Sequence, residues 1–156
     1  MDYILAAKEP GCFLCDMIQH ENDRESLILE RREHSLVVFN KYPYNNGHLM
    51  VAPYRHVSSL DDVTDEEALD FMQATRRSSR ILRDRLHADG FNIGINLGKA
   101  AGAGLEDHLH IHIVPRWNGD TNFMPVTAET KVIPQSMREL HDQLYPAFQA
   151  EKNGPG

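Results

Sequence analysis

The run Asp107-His108-Leu109-His110-Ile111-His112-Ile113-Val114-Pro115-Arg116-Trp117 concentrates more chemically active side chains than any other stretch of the chain. In an extended strand, successive side chains leave on opposite faces. Leu109, Ile111 and Ile113 then form an apolar face for a core, while His108, His110 and His112 project together from the other face. Imidazole changes charge near neutral pH, so such a row can do proton, metal or phosphoryl chemistry. Three readings compete. A solvated strand face tolerates one stray histidine, but strict period two after a glycine-rich bend and before Pro-Arg speaks against it. A metal cage would take two ligands from His-x-His and a third from elsewhere. Nucleophilic catalysis would let a neutral ring nitrogen attack phosphorus, splitting one hard displacement into two easier ones through a phosphoramidate. The attacking nitrogen must be bare, so the other ring nitrogen should donate to a carbonyl that fixes the tautomer.

The elements that must carry this row are legible from hydrophobic pattern and turn chemistry. Residues 26–31 and 34–40 read as two strands about a turn at Arg32-Glu33, and 48–53 as a third after the turn-rich stretch 41–47. A loop over 54–62 leads to Thr64, which with Glu67 forms a capping box, and Asp65 and Glu66 favour the positive end of a helix. Leu69, Met72, Ile81, Leu82 and Leu86 are expected as its apolar stripe and Gly90 as its stop. Residues 91–97 alternate as a strand, 98–104 form the glycine-rich bend, 108–116 form the histidine strand, and a last helix is expected over 135–150. Hairpin-sized links between the early strands exclude parallel pairing. The expected class is α+β with a mostly antiparallel sheet.

At 156 residues the chain is expected to form one domain over 1–156, with a frayed tail near 151–156. The formal net charge of -7 repels nucleic acid and anionic membrane alike. Any polyphosphate must then be held by local cations and backbone donors, which favours a small anion over a polymer. No stretch resembles a signal peptide or a bilayer span. With only Cys12 and Cys15, two residues apart, a disulfide framework is implausible and a reducing cytoplasm is the expected compartment.

The pattern H-φ-H-φ-H-φ-φ from His108 to Val114 resembles the signature of the histidine triad (HIT) superfamily of nucleotide hydrolases and transferases. Support comes from Asn40 and His48 within NKYPYNNGH, from PYRH at 53–56, from Asn96, and from GLEDHLHIHIVPRW. The likeness runs from Cys12 to about Trp117 and is strongest to the bacterial diadenosine tetraphosphate phosphorylase-like branch. It implies that His110 is the nucleophile that takes the nucleotidyl group and that His112 hydrogen-bonds near the scissile phosphate. It further implies that Asn40 meets the ribose, Asn96 the phosphates and His48 the nucleotide site, with Val38 and Phe39 beside the base. The family's Gln and Ser or Thr phosphate ligands are replaced here by Ala101-Gly102-Ala103-Gly104, whose backbone donors, Gly104 among them, would serve instead. The more open space would suit inorganic phosphate as second substrate. The implied function is cleavage of a dinucleoside polyphosphate such as diadenosine tetraphosphate, by phosphorolysis or hydrolysis, in a homodimer. The alternatives are a Hint-like nucleoside phosphoramidase and a non-catalytic nucleotide- or metal-binding module.

Cys12-x-x-Cys15 alone is ambiguous between a redox pair, two buried small hydrophobes and half of a metal site. Zinc-containing members of the family complete a tetrahedral site from positions matching His56 and His108, so the resemblance implies structural zinc on Cys12, Cys15, His56 and His108. Arg55, Arg116 and Lys99 are candidate phosphate cations, and Trp117 is either packed or stacked on a base. Arg76, Arg77, Arg80, Arg83 and Arg85 read as a solvated helix face.

Overall fold

The short links between the first strands fold them back on one another, and the rest of the sheet grows from that hairpin. The computed structural model describes residues 11–103, 108–120 and 136–152. Its strands are β1 (Ile28–Arg31), β2 (Ser35–Phe39), β3 (Leu49–Pro53), β4 (Gly90–Ile95) and β5 (Ile111–Arg116). All pair antiparallel, in the order β1-β2-β3-β5-β4. The expected α+β class with an antiparallel sheet is the observed one.

Period-two alternation divides the sheet into two faces. Leu29, Val37, Phe39, Leu49, Val51, Leu109 and Ile113 pack against the long helix α3 (Asp65–Leu86) and the last helix α4 (Met137–Lys152). Ile28, Leu36, Val38, Met50 and Ala52 pack on the opposite side, against Leu14, Met17 and Ile18 of α1 (Phe13–Gln19). A single turn of helix, α2 (Asp23–Ser26), joins α1 to β1. Neither short helix is evident from sequence. The first is capped by the Cys12 sulfur, which accepts the Cys15 N–H, and the second by Asn22.

Several expectations need correction. Ser26 closes α2 and does not begin a strand. Thr64 and Glu67 do form the reciprocal capping box, but Leu69 and Met72 are 62% and 64% exposed. The buried stripe is instead Glu67, Asp70, Phe71, Ala74, Thr75, Ser78, Ile81 and Leu82. Two carboxylates can lie on that stripe because each is paired: Glu67 accepts from Arg55, and Asp70 from Arg32 at 2.8 Å and from the Ser35 hydroxyl at 2.7 Å. The helix ends at His87, in the left-handed region with φ 57°, and Gly90 opens β4. Arg77 is not on a solvated face, since it ion-pairs with buried Glu30 and donates to the Phe148 carbonyl. Regular pairing of the histidine strand begins only at Ile111, although Leu109 already points into the helix-side core and donates its N–H to Val57 at 2.8 Å. Gln135, the expected start of the last helix, lies outside the described residues.

One glycine is required where the chain enters β3. Gly47 has φ +81°, and a Cβ there would lie 2.9 Å from Leu86 Cδ1 and 3.3 Å from Pro115 Cγ. Only glycine satisfies both the backbone and the packing at the residue that delivers His48 to the sheet.

Candidate active site

Strand β5 lies between β3 and β4, so its side chains have neighbours on both sides. His112 is in register with Met50 on one flank and with Gly94 on the other. A Cβ on Gly94 would meet nothing within 4 Å, so the face beside His112 is open. The rings of His110 and His112 stand edge to face with centroids 4.7 Å apart. His48, at the start of β3, brings Nε2 to 2.9 Å from Nδ1 of His112. Asn40 follows β2, accepts the Tyr42 N–H on its Oδ1 at 2.8 Å, and holds Nδ2 3.4 Å from His48 Nε2. The turn between Asn40 and His48 thus meets a strand 64 positions further on at one patch.

His110 is 8% exposed, and its Nδ1 lies 2.9 Å from the His108 carbonyl oxygen. A carbonyl only accepts, so Nδ1 carries the hydrogen and Nε2 is bare in the neutral ring. This is the tautomer that nucleophilic attack through Nε2 demands. Burial holds His110 below the usual histidine range, against the opposing pull of the His108 carbonyl. Burial, with the nearby His110 as a smaller cause, pushes His112 down to about 4. Both rings are therefore neutral at pH 7.

His108 uses its ring differently. Nε2 donates to the Pro53 carbonyl at 2.9 Å, which leaves Nδ1 bare and directed at two sulfurs. Nδ1 lies 3.3 Å from Cys12 Sγ and 3.6 Å from Cys15 Sγ, and His56 Nδ1 lies 3.4 Å from Cys15 Sγ. The four ligand atoms all fall within 4.8 Å of one another. In a tetrahedral ion with zinc–sulfur and zinc–nitrogen bonds of about 2.3 and 2.05 Å, neighbouring sulfur and nitrogen ligands lie about 3.5–3.6 Å apart. The observed spacings fit that cage. Burial pushes the Cys12 thiol up to about 11, so a bound cation would have to displace its proton.

The other expected residues divide clearly. Asn96 directly follows the Ile95–Ile111 pair, one residue beyond the end of β4. Val38, not Phe39, lies on the histidine side, since Phe39 packs in the helix-side core. Arg55 is taken by Glu67 and Arg116 by Asp120 at 2.6 Å, whereas Lys99 is exposed in the turn of the glycine-rich bend. Trp117 donates its indole N–H to the Leu86 carbonyl at 3.0 Å, closing the end of α3. Gly104 lies outside the described residues. Sequence reasoning passed over Tyr44, whose N–H donates to His48 Nδ1 at 3.1 Å and whose ring lies over His48. Its position in the Asn40–His48 turn was the available signal.

A sheet-borne histidine with a bare Nε2, a second histidine beside it and a third tied to a Cys/His cluster define a histidine triad protein. The HIT domain model matches residues 21–119, and the chain belongs to that family. The AP-4-A phosphorylase of Mycobacterium tuberculosis is 48% identical over 79% of this chain, which spans 63% of that protein's length. The bis(5'-adenosyl)-triphosphatase of Dictyostelium discoideum is 33% identical, over 83% of this chain and 91% of that one. A Zn-bound histidine triad family protein from Mycobacterium smegmatis matches with a TM-score of 0.74 at 28% identity, covering 92% of this chain and 97% of that one.

The depressed histidine values have a direct consequence. The folded rings stay neutral where the unfolded ones, with ordinary values near 6.5, take up protons. Their contribution to stability is full above pH 6.5 and is lost as pH falls below it, for His112 through about 4. Histidine-resolved NMR titration will give midpoints below 6.5 for both rings; a midpoint at or above 6.5 for either contradicts the geometry.

Proposed function

We propose that this chain cleaves the phosphoanhydride of a dinucleoside polyphosphate such as diadenosine tetraphosphate, through a covalent nucleotidyl-histidine on His110. The observation that carries the reading is the lock between His110 Nδ1 and the His108 carbonyl, which leaves Nε2 bare beside His112. The Nε2 lone pair forms an N–P bond to the nucleotide phosphorus. The P–O bond to the remaining polyphosphate breaks and its electron pair departs with that oxygen. His112, next to the nucleophile, serves as the second catalytic group by hydrogen-bonding to the oxygens around phosphorus. In the second step inorganic phosphate or water attacks phosphorus and the N–P bond breaks, restoring the bare nitrogen. Phosphate yields a nucleoside diphosphate and water a monophosphate.

In this reading Asn40 meets the ribose, Asn96 and the Gly104 amide the phosphates, and His48 the neighbourhood of the nucleotide. The small side chains of Ala100 to Ala103 leave room for phosphate as acceptor, and the likeness to a protein named AP-4-A phosphorylase supports it. The reading extends to a single HIT domain over 1–156 and to a homodimer in which Trp117 reaches a base bound by the other copy. Exposed Ile93 on edge strand β4 and exposed Leu97 just beyond it support such pairing. Two cysteines that are free thiols support a reducing compartment, the cytoplasm.

Zinc is the proposed occupant of the Cys12, Cys15, His56 and His108 cage. Bound there, it would act as a structural cross-link and not as the electrophile. The four side chains would fasten the start of α1 to the residue whose carbonyl orients His110.

Two outcomes test these assignments. Diadenosine tetraphosphate will be turned over, and His110→Ala will lower kcat by about three orders of magnitude or more. Comparing products with and without inorganic phosphate will separate phosphorolysis from hydrolysis, and activity retained by His110→Ala contradicts the proposal. Elemental analysis will find one zinc per chain, lost in Cys12→Ser or Cys15→Ser together with several degrees of Tm. A metal-free protein whose Tm ignores chelator contradicts the structural zinc.

A further inference from the structure

We infer that Tyr44 is a positioning residue for the departing group, because its backbone N–H dictates where the hydrogens of His48 and His112 sit. The inference rests on the reading of His110 and His112 as the reacting pair.

The argument is an inventory of donors and acceptors. A backbone N–H can only donate, and that of Tyr44 points at His48 Nδ1 from 3.1 Å. His48 Nδ1 is therefore bare, and a neutral His48 must carry its hydrogen on Nε2. A protonated His48 is excluded, since Nδ1–H would then face the Tyr44 N–H. His48 Nε2 lies 2.9 Å from His112 Nδ1 and 3.4 Å from Asn40 Nδ2. The amide of Asn40 is oriented by its Oδ1, which accepts the Tyr42 N–H at 2.8 Å, so an NH2 group faces His48 and cannot accept. The His48 hydrogen thus goes to His112 Nδ1, the shorter contact. His112 must then carry its own hydrogen on Nε2.

The outcome is a pair of rings with opposite assignments. His110 presents a bare Nε2 because its Nδ1–H is held by the His108 carbonyl. His112 presents an Nε2–H because its Nδ1 is filled by His48. The first suits attack on phosphorus, and the second suits a hydrogen bond to the oxygen that leaves as the P–O bond breaks. No proton need be transferred for this bond to stabilise the negative charge growing on that oxygen. Tyr44 also covers the pair: its ring lies 4.7 Å from that of His48 and is stacked at 22° and 6.1 Å over that of His112. The Tyr44 residue is 37% exposed, which keeps part of this corner at the surface while His48 is fully buried and His112 half-buried.

The side of the turn that bears Tyr44 is fixed from both ends. His48 N–H donates to the Asn45 carbonyl at 3.2 Å, and the Asn45 side chain donates to the Pro115 carbonyl at 3.0 Å at the far end of β5. The donor that sets the tautomers is thereby anchored to the same strand that carries His112.

Nitrogen-15 NMR of the wild-type protein reads the assignments directly. The expected result is bare Nδ1 and protonated Nε2 for both His48 and His112, with the reverse for His110. Tyr44→Ala keeps the N–H and should keep these tautomers. Tyr44→Pro removes the N–H and should let His112 populate the Nδ1–H form. On a series of adenosine 5'-phosphate esters with alcohols of graded acidity, Tyr44→Pro should then lose about tenfold or more additional rate on poor leaving groups relative to activated ones, the worth of one hydrogen bond. If Tyr44→Pro does not fold, the wild-type tautomers and those of Tyr44→Ala decide. A wild-type His112 carrying its hydrogen on Nδ1, or a Tyr44→Pro protein with an unchanged leaving-group slope, overturns the inference while leaving the nucleophile assignment intact. If the wild type forms no nucleotidyl adduct at all, the reading beneath it has failed instead.

Discussion

The bare Nε2 of His110 depends on one hydrogen bond, from His110 Nδ1–H to the carbonyl of His108 two residues earlier. An isolated neutral imidazole exchanges between two tautomers, and only one of them exposes a bare Nε2. The carbonyl removes that freedom at the cost of fixing His108. Its own ring is held by the Pro53 carbonyl on one side and directed at Cys12 and Cys15 on the other. The peptide that orients the His110 ring is thus tethered to β3 and to the start of α1, two elements far from it in sequence. Burial holds the ring below the usual histidine range, which favours its neutral form.

The same strand supplies core and chemistry because its two faces are chemically distinct. Leu109 and Ile113 are buried against α3 and α4, which immobilises the backbone between them. The histidines on the opposite side inherit that rigidity, and β3 and β4 on either flank limit lateral movement. A chain of net charge -7 is a poor general receptor for a polyanion. Neutral rings and backbone donors at the patch avoid adding to that repulsion, and the Arg116–Asp120 and Arg55–Glu67 pairs show that two nearby cations are committed to structure.

What the sequence made legible was whatever repeats with a period or carries a distinctive residue type. The alternation of Leu109, Ile111 and Ile113 with three histidines located the histidine strand, and Thr64 with Glu67 located the start of α3. The four residues of the Cys/His cage came from resemblance, and the structure gathers them although 96 positions separate Cys12 from His108. The two misplaced residues of the helix stripe share one cause. Leu69 and Met72 fit a helical apolar spacing, but Glu67 and Asp70 occupy the buried stripe because Arg55 and Arg32 neutralise them, and those partners are invisible locally. The seven-residue α1 and four-residue α2 lie below the length at which local preference specifies a helix, so packing and caps decide them. The contact of Tyr44 with His48 is not legible in the sequence because it runs through a backbone N–H, which has no signature in residue type.

The central claim is that His110 Nε2 forms a bond to nucleotide phosphorus. Intact-mass spectrometry after rapid mixing with diadenosine tetraphosphate and quenching above neutral pH, where a phosphoramidate survives, measures that bond directly. The account predicts a single added adenylyl group, mapped by fragmentation to His110. Turnover of the substrate with no adduct at any quench time, or an adduct mapped to another residue, would contradict it.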